Sequence, residues 1–332
     1  MKKCIYILIG IGLSVILISC STTFQMVSEG ESFDALSKIT NSKLPCMFPN
    51  GGDSSKNLTF CMKERGGYYN IYLKDNVLTT ATIKKTDGFN YNLMPSYNKA
   101  TNRIVFLYWD KTNFDIYYID ANKGKAITQV TNTDENEYSP AWSFDGKKII
   151  FEKGAPPRLF LTLKKSSKTR STALNQITLP NNQIWIKDLS TGELKMVGQG
   201  SFPKFSPDGK YITFVKYDLN KSKTRETGTI WIMTIDGENQ KQLTDANIGY
   251  AILPNWSPNG KEIIFQLAKP NKKDPDIYSV DINGENLKQY TINKSNDFSP
   301  YWSEDGFIYF SSDRGSKIGD YQIWRFKMSG QQ

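Results

Sequence analysis

The feature that most constrains the fold is a segment that the chain writes four times. Each copy has a proline, an aromatic residue two positions later, a polar turn and an apolar strand ending in phenylalanine. The copies are SPAWSFDGKKIIF (139–151), SFPKFSPDGKYITF (201–214), LPNWSPNGKEIIF (253–265) and SPYWSEDGFIYF (299–310). A fixed period of this kind is typical of repeat architectures, in which each unit buries its faces against its neighbours.

A second marker, isoleucine followed by tyrosine or tryptophan, extends the repeat to six units. The intervals between its successive occurrences are 45, 68, 46, 47 and 46 residues, so the third unit contains an insertion of about 22 residues. The isoleucines are residues 71, 116, 184, 230, 277 and 323. The prolines that we assign to the first strand of each unit are Pro45, Pro95, Pro140, Pro203, Pro254 and Pro300. We therefore expect units to start near residues 44, 94, 139, 202, 253 and 299.

Each unit has the pattern of four short strands bounded by glycine, aspartate, asparagine and proline, which indicates an all-β fold rather than βαβ units. A unit of this size cannot bury both of its faces alone, whereas units packed radially around an axis can. We therefore predict an all-β, six-bladed β-propeller of four-stranded blades. A pair of β-sandwiches would explain the alternation of strands but not the constant period.

The last unit lacks a fourth strand of its own. It stops after the strand that carries QIW (322–324), while residues 34–45 resemble a fourth strand that leads into the next proline. We predict that residues 33–40 supply the outer strand of blade six. Residues 33–332 would then form one propeller domain, a ring closed by its N-terminal strand.

The motif P-x-W-S-P-D-G-K-x-I-x-F resembles the repeat of the TolB-type six-bladed propellers, and four of the six units match it well. The resemblance implies a protein-binding scaffold whose loop face or channel mouth docks an envelope lipoprotein or another periplasmic domain. TolB proteins of the Tol–Pal system also carry an N-terminal α/β domain, in place of which this chain has about a dozen residues. Because such propellers also occur in peptidases and lyases, the resemblance is specific for the fold and not for the function.

Residues 1–19 have the pattern of a secretory signal peptide, with Lys2 and Lys3 before the apolar run 5–18. This run is shorter than the about 20 residues that a membrane-spanning helix needs. The ending LISC resembles the lipobox of bacterial lipoproteins, in which the cysteine, here Cys20, is lipidated. We predict a lipid anchor at Cys20, a flexible tether over 20–32, and a place at the outer membrane facing the periplasm, which Ser21 favours. An uncleaved N-terminal anchor is the alternative.

The net charge of the chain is +9, and the loss of Lys2 and Lys3 with the signal would leave +7. A basic protein outside the cytoplasm is not expected to meet nucleic acid. Its expected partners are acidic envelope proteins, anionic polymers or lipid head groups. We expect a monomer that meets the membrane through its lipid anchor.

The chain contains no histidine, which excludes Ser-His-Asp and Cys-His nucleophiles and the commonest metal ligand. It also lacks a cysteine cluster with zinc spacing and a glycine-rich phosphate loop. We therefore predict no catalytic residue, no metal and no cofactor, although a glycosidase-type carboxylate pair stays open. The turn aspartates Asp145, Asp208 and Asp305 are expected to cap backbone N–H groups.

Cys46 and Cys61 are the two cysteines that remain after residue 20. They lie in neighbouring predicted strands, and an oxidising compartment favours pairing. The sequence leaves two alternatives open, a disulfide between them or two buried free thiols.

The least regular material lies between the second and third strands of several blades, where loops emerge on one face of a propeller. The insertion 153–182 is basic and contains no acid, and three further irregular loops, 216–228, 268–276 and 312–320, share its position. Because loops on a rigid scaffold often carry binding, we predict a partner-binding face for an acidic partner. Its residues are Lys164, Lys165, Lys168, Arg170, Lys221, Lys223, Arg225, Lys272, Lys273 and Arg314. The alternatives are lysines that serve only solubility, a face for anionic glycan or peptidoglycan, and a lyase-like enzyme.

Overall fold

Six antiparallel sheets of four strands each make up the fold, and a 3₁₀ helix (Ala246–Ile248) precedes the fifth. The computed structural model describes residues 33–53, 56–109, 111–123, 125–156, 181–219, 226–272 and 274–328. The all-β, six-bladed propeller predicted from the repeat is confirmed. In the part of the chain that is described, no helix has the length and apolar character needed to cross a membrane.

The strands follow one another from the inside to the outside of each blade. In chain order they are β1 (Phe33–Lys38), β2 (Cys46–Asp53), β3 (Lys56–Lys63), β4 (Tyr69–Lys74), β5 (Ile83–Lys84), β6 (Asn92–Asn98), β7 (Arg103–Trp109), β8 (Phe114–Asp120), β9 (Ile127–Gln129), β10 (Glu137–Trp142), β11 (Lys148–Lys153), β12 (Gln183–Asp188), β13 (Leu194–Gln199), β14 (Ser201–Phe205), β15 (Tyr211–Leu219), β16 (Glu226–Thr234), β17 (Lys241–Gln242), β18 (Tyr250–Trp256), β19 (Glu262–Ala268), β20 (Asp276–Asp281), β21 (Lys288–Gln289), β22 (Asp297–Trp302), β23 (Phe307–Ser312) and β24 (Gln322–Met328). Blades one to five each take four consecutive strands from β2 to β21, and blade six combines β22–β24 with β1.

The ring closes through β1, as predicted. This strand pairs antiparallel with β24, and Lys38 lies opposite Trp324. Just beyond it, the Thr40 hydroxyl donates to Oε1 of Gln322 at 2.9 Å. The inner strands β2, β6, β10, β14, β18 and β22 also contact one another in turn, and β22 contacts β2. Both the outer and the inner layers therefore join the two ends of the chain.

The repeat exists because blades pack alike. The repeat's phenylalanine lies within the second strand of each blade and is at most 1% exposed, at residues 60, 106, 151, 214, 265 and 310. The isoleucine of each third strand is 0% exposed, at residues 71, 116, 184, 230, 277 and 323. Full burial of one such side chain stabilises a protein by about 1.5–3 kcal/mol. These twelve positions therefore form the framework of the core.

Every inner strand contains a β-bulge at its proline. The residue before the proline has a left-handed backbone, with φ between 51° and 58°, at Phe48, Met94, Ser139, Phe202, Leu253 and Ser299. The pairing register shifts at the same place in all six blades. Proline suits this position because it has no N–H to donate to the sheet.

In blade one the bulge proline is Pro49, so our assignment of Pro45 to this position is wrong. Pro45 precedes β2 and lies outside the bulge. The first unit has two prolines, and we assigned the wrong one: Pro49 lies 11 residues before the phenylalanine of the second strand, as the bulge prolines of the next four units do.

The hairpin of blade four is more regular than the sequence suggested. We interpreted residues 216–228 as an irregular loop, but β15 and β16 stay paired from Tyr211 opposite Thr234 to Leu219 opposite Glu226. The Tyr217 and Tyr250 rings stack with centroids 6.0 Å apart, so the hairpin packs against the next blade. The strands therefore continue because one side of the hairpin is buried. The many charged residues of this segment had indicated an exposed loop instead.

Cys46 and Cys61 are both free thiols and both buried, so the disulfide alternative is wrong. Cys46 lies opposite Met62 in the β2–β3 pair, while Cys61 lies opposite Met47. Since neighbouring residues of a strand point to opposite faces, the two thiols lie on opposite sides of the sheet. They accordingly pack in different hydrophobic clusters, so the two sulfur atoms do not face each other and form no bridge.

Candidate functional site

A cavity of about 430 Å³ forms a funnel at the mouth of the central channel. It lies at the end where the first strand of each blade turns into the second. The bulge aims the two residues after each proline at this cavity. The first of them are Asn50, Ser96, Ala141, Lys204, Asn255 and Tyr301, and the second are Gly51, Tyr97, Trp142, Phe205, Trp256 and Trp302.

The funnel wall is aromatic, but its indoles also belong to the packing between blades. Trp142, Trp256 and Trp302 are 7%, 5% and 4% exposed. Nε1 of Trp256 donates to the backbone oxygen of Lys204 in the preceding blade at 3.2 Å. Nε1 of Trp142 has no hydrogen-bond partner among the described residues. These side chains therefore hold neighbouring blades together and show only part of their surface to the cavity.

Lys204 is the one charged residue among the twelve that follow the bulge prolines. Burial lowers its pKa to about 8, and the carboxylate of Glu152 opposes that shift. At the rim, Nζ of Lys99 lies 3.2 Å from Oε2 of Glu304, and this pair joins the turns of blades two and six. The deep part of the funnel is thus positive, while the rim is balanced.

Two residues of the predicted partner-binding face are described, Lys272 and Arg314, and both lie at the opposite end of the ring from the funnel. The other residues of this face, Lys164, Lys165, Lys168, Arg170, Lys221, Lys223, Arg225 and Lys273, lie outside the described residues, as does Cys20. Lys272 is described: its ammonium lies 2.5 Å from Oδ2 of Asp276 and its side chain is 30% exposed. This cation is therefore partly accessible on the loop face but already has a carboxylate beside it.

Arg314 does not contribute an exposed charge to that face. It is 7% exposed, and its guanidinium forms an ion pair with the buried carboxylate of Asp297. The same guanidinium lies 5.1 Å from the ring centre of Phe310. We correct our assignment of Arg314 to the docking face, since the side chain stabilises blade six instead.

Buried carboxyl groups lie beneath the loop face. Glu137 accepts hydrogen bonds from the hydroxyls of Thr133 at 2.5 Å and Thr131 at 3.0 Å. Burial, together with the neighbouring carboxyl of Asp115, raises the pKa of Glu137 to about 7. Asp276 also has a pKa raised by burial, to about 6. These groups titrate near neutral pH, but they are enclosed in the blades.

The turn aspartates have the structural role predicted for them. Oδ1 of Asp145 accepts from the Ser143 hydroxyl at 2.7 Å and from the backbone N–H of Lys147 at 3.1 Å. Asp208 makes the same two bonds in blade four. In the described part of the chain no group of three or more cysteine, aspartate or glutamate side chains is placed to hold a metal ion.

Comparisons with known proteins agree with the six-bladed architecture. The family PD40, the TolB beta propeller domain, matches residues 200–332. The Tol-Pal system protein TolB of Francisella tularensis subsp. holarctica (strain OSU18) is 25% identical over 272 residues, which cover 76% of this chain and 57% of that protein. This chain is a TolB-like six-bladed β-propeller.

Solved structures share the fold of this TolB-like propeller. The putative TolB from Agrobacterium tumefaciens superposes with a TM-score of 0.58 at 16% identity, covering 88% of this chain and 96% of that one. The oligogalacturonate lyase from Vibrio parahaemolyticus gives 0.56 at 14% identity, covering 91% and 95%. Because one of the two is named as an enzyme, the fold alone does not identify the function.

The TolB-like propeller spans 57% of the length of the curated relative it matches. The function of the whole relative therefore does not transfer to this chain. The sequence predicted the ring but did not predict the funnel. A sequence signal for the funnel exists, because the residue after each bulge proline lines the cavity. Lys204 is the one charged residue among those six.

Proposed function

We propose that this TolB-like propeller is a lipid-anchored, extracytoplasmic protein-binding scaffold of the bacterial cell envelope. The observation that carries the proposal is the alignment over 272 residues with a protein of the Tol-Pal system. A closed ring of six blades gives such a scaffold a rigid frame, on which loops from separate blades act as one surface.

The proposed anchor is the lipidated Cys20 with the tether 20–32, at the outer membrane and facing the periplasm. Residues 33–332 would form the working domain, acting as a monomer and without catalytic activity. The pattern of Lys2, Lys3, the apolar run and LISC supports this location. A Cys20→Ala variant should move from the detergent-extracted membrane fraction to the soluble periplasmic fraction, whereas retention in the membrane would contradict the lipid anchor.

The proposed docking surface is the loop face, with Lys272 and the eight basic residues that lie outside the described part. The insertion 153–182 contributes the largest share of this charge and contains no acid. Such a surface attracts a partner with an acidic face, and the attraction weakens as salt increases. The proposed partner is therefore an acidic envelope protein or lipoprotein.

The test uses the lipid-free chain from Ser21, with and without residues 157–179. Both forms capture proteins from solubilised envelopes, the retained protein is identified and purified, and its affinity for each form is measured at two salt concentrations. We expect one protein to bind the complete chain, to bind more weakly at higher salt, and to be lost with the insertion. Equal urea unfolding curves of the two forms serve as the control for folding.

Two outcomes would contradict the proposal. If both forms bind the same purified protein equally, the basic insertion is not the docking surface. If neither form binds protein but both bind purified peptidoglycan or an anionic glycan in a salt-sensitive way, the scaffold recognises the polymer instead.

A further inference from the structure

Three residues form a neck between the funnel and the rest of the channel. The funnel of about 430 Å³ continues into a narrower space of about 40 Å³ along the axis. Only Asn50, Lys204 and Asn255 line both spaces among the described residues. Each of them follows the bulge proline of its blade, so the backbone holds all three at the same depth.

The two asparagines present hydrogen-bond donors to this neck. Oδ1 of Asn50 accepts the backbone N–H of Tyr97 at 2.9 Å, and Oδ1 of Asn255 accepts that of Trp256 at 2.9 Å. A backbone N–H can only donate, so each amide must turn its oxygen towards the strand and keep its NH₂ group on the other side. Neither Nδ2 atom has an acceptor within hydrogen-bonding distance in the described part of the chain.

The ammonium of Lys204 has no carboxylate as a partner among the described residues. Its one hydrogen-bond contact is to the backbone oxygen of Pro140, at a long 3.5 Å. The carboxylate that acts on it from a distance is that of Glu152, which already accepts from Ser139 at 2.5 Å and from Phe202 N–H at 3.1 Å. The rim pair of Lys99 and Glu304 is satisfied within itself. The neck therefore holds one cation and two free amide donors.

We propose that the neck binds the carboxylate of a small organic acid, whose ring-shaped or apolar body occupies the aromatic funnel. A carboxylate offers about four lone-pair sites on two oxygens, which suits one ammonium and two amide donors. One positive charge matches a monoanion. The funnel has the volume of ordinary small-molecule sites, which are about 300–1,000 Å³ and mostly apolar with a few placed polar groups.

The experiment measures binding of benzoate, 3-phenylpropionate, indole-3-acetate and galacturonate to the chain from Ser21 by calorimetry, each against its uncharged amide or parent sugar. We expect at least one acid to bind, and its uncharged counterpart to bind at least about tenfold more weakly, a difference of about 1.4 kcal/mol. Because the acid needs the protonated amine, its affinity should fall about tenfold per pH unit above the pKa of Lys204, about 8.

Two variants locate the site. Lys204→Met removes the ammonium, and Asn255→Asp keeps the oxygen that accepts from Trp256 N–H but replaces the donor by a negative charge. Both should lose at least about tenfold in affinity. The matched control is Lys210→Met, which removes the same charge from an exposed turn of blade four outside the funnel and should bind as the parent does. If Lys204→Met fails to fold, Asn255→Asp still decides the question.

The inference is overturned if no acid binds at about 10 mM, if the uncharged counterparts bind equally well, or if folded Asn255→Asp keeps the parent affinity. Binding of an acidic polymer without binding of any small acid also overturns it. The result does not depend on the protein partner proposed above, because none of the three neck residues belongs to the segment 157–179.

Discussion

Asp297 and Arg314 form an ion pair inside blade six, with Nη2 of Arg314 2.7 Å from Oδ2 of Asp297. Both residues are almost completely buried, at 0% and 7% exposed. The Asn293 amide donates to the same carboxylate oxygen at 2.9 Å, and the Ser312 hydroxyl donates to the other. A charge so enclosed is stable only while its partners are present.

Replacement of Arg314 should therefore be costly. We expect Arg314→Met to lower the free energy of unfolding by about 3–5 kcal/mol, because it leaves the Asp297 carboxylate buried without a counter-charge. Urea unfolding followed by tryptophan fluorescence measures this change. Lys317→Met removes an exposed charge from the same loop and serves as the control, with an expected effect below about 0.5 kcal/mol. Equal effects of the two substitutions would contradict the prediction.

The buried carboxyl of Glu137 predicts a pH-dependent stability. Its pKa is raised by burial to about 7, so between about pH 4.5 and 7 the folded protein holds a proton that the unfolded chain has released. The stability that this proton contributes is complete below about pH 4.5 and is lost as the pH rises towards 7. Glu137→Gln should therefore gain stability relative to the parent from pH 5 to 7.5, by up to about 3 kcal/mol.

Urea unfolding of both proteins across this pH range measures the difference. Burial also raises the pKa of Asp276 to about 6. This group therefore contributes its own pH dependence to the stability of both proteins. The control is Glu135→Gln, which removes an exposed carboxylate two residues away. A stability difference for Glu137→Gln that does not change with pH would show that the group is ionised throughout.

The two free thiols predict a simple chemical result. The chain from Ser21 contains only Cys46 and Cys61. Burial raises the pKa of Cys46 to about 12 and that of Cys61 well above its usual value, so neither forms the reactive thiolate at pH 8. A thiol reagent should find no reactive group in the folded protein and two after unfolding without reductant. No thiol after unfolding would mean that a disulfide forms despite the geometry.

A β-branched side chain at the left-handed residue of a bulge should lower the stability of the protein. Leu253 has φ of 56°, a conformation that a β-branched residue strongly disfavours. We expect Leu253→Val to lower the free energy of unfolding by about 1–2 kcal/mol more than Leu267→Val, which lies in regular strand in the same blade. Urea unfolding compares the two. Leu267 is the more buried, at 1% against 7%, so a larger loss at Leu267 would contradict the role of the backbone.

The closing strand makes a further prediction. Leu36 packs against the core of blade six, and Nζ of Lys38 lies 5.8 Å from the ring centre of Trp324. A chain that begins at Ile39 leaves the edge of β24 unpaired, and we expect it to lose several kcal/mol of stability. Hydrogen exchange should be faster in β24 than in a control chain that begins at Phe33. Equal exchange in the two chains would show that β1 does not hold the ring.

The sequence predicted the ring because the blade repeat is a packing repeat. The phenylalanines and isoleucines that recur in it are the residues with no exposed surface, so their period reports directly on the core. The same logic predicted the closure by β1, whose pattern matches the outer strands. It failed at Pro49 because the first unit has two prolines, Pro45 and Pro49, and only the second has the regular spacing to the phenylalanine of the next strand.

The chemistry of individual sites was harder to predict, because it depends on partners far apart in the chain. In the sequence Arg314 is one of several basic loop residues, and only the structure shows that Asp297 lies beside it. The two cysteines are neighbours in the strand pairing, and only the register shows that they face opposite sides. Asn50, Lys204 and Asn255 line one neck although about 50 to 205 residues separate them in the chain.

The pairing of β1 with β24 also fixes the order of events during synthesis. Thr40 and Gln322, which hydrogen-bond beside this pair, are 282 positions apart. At about 5–20 residues per second, the first strand waits roughly 15–60 s for its partner to be made. During that time its edge is open to other chains, so the growing polypeptide needs either a chaperone or rapid passage to a compartment with few competitors.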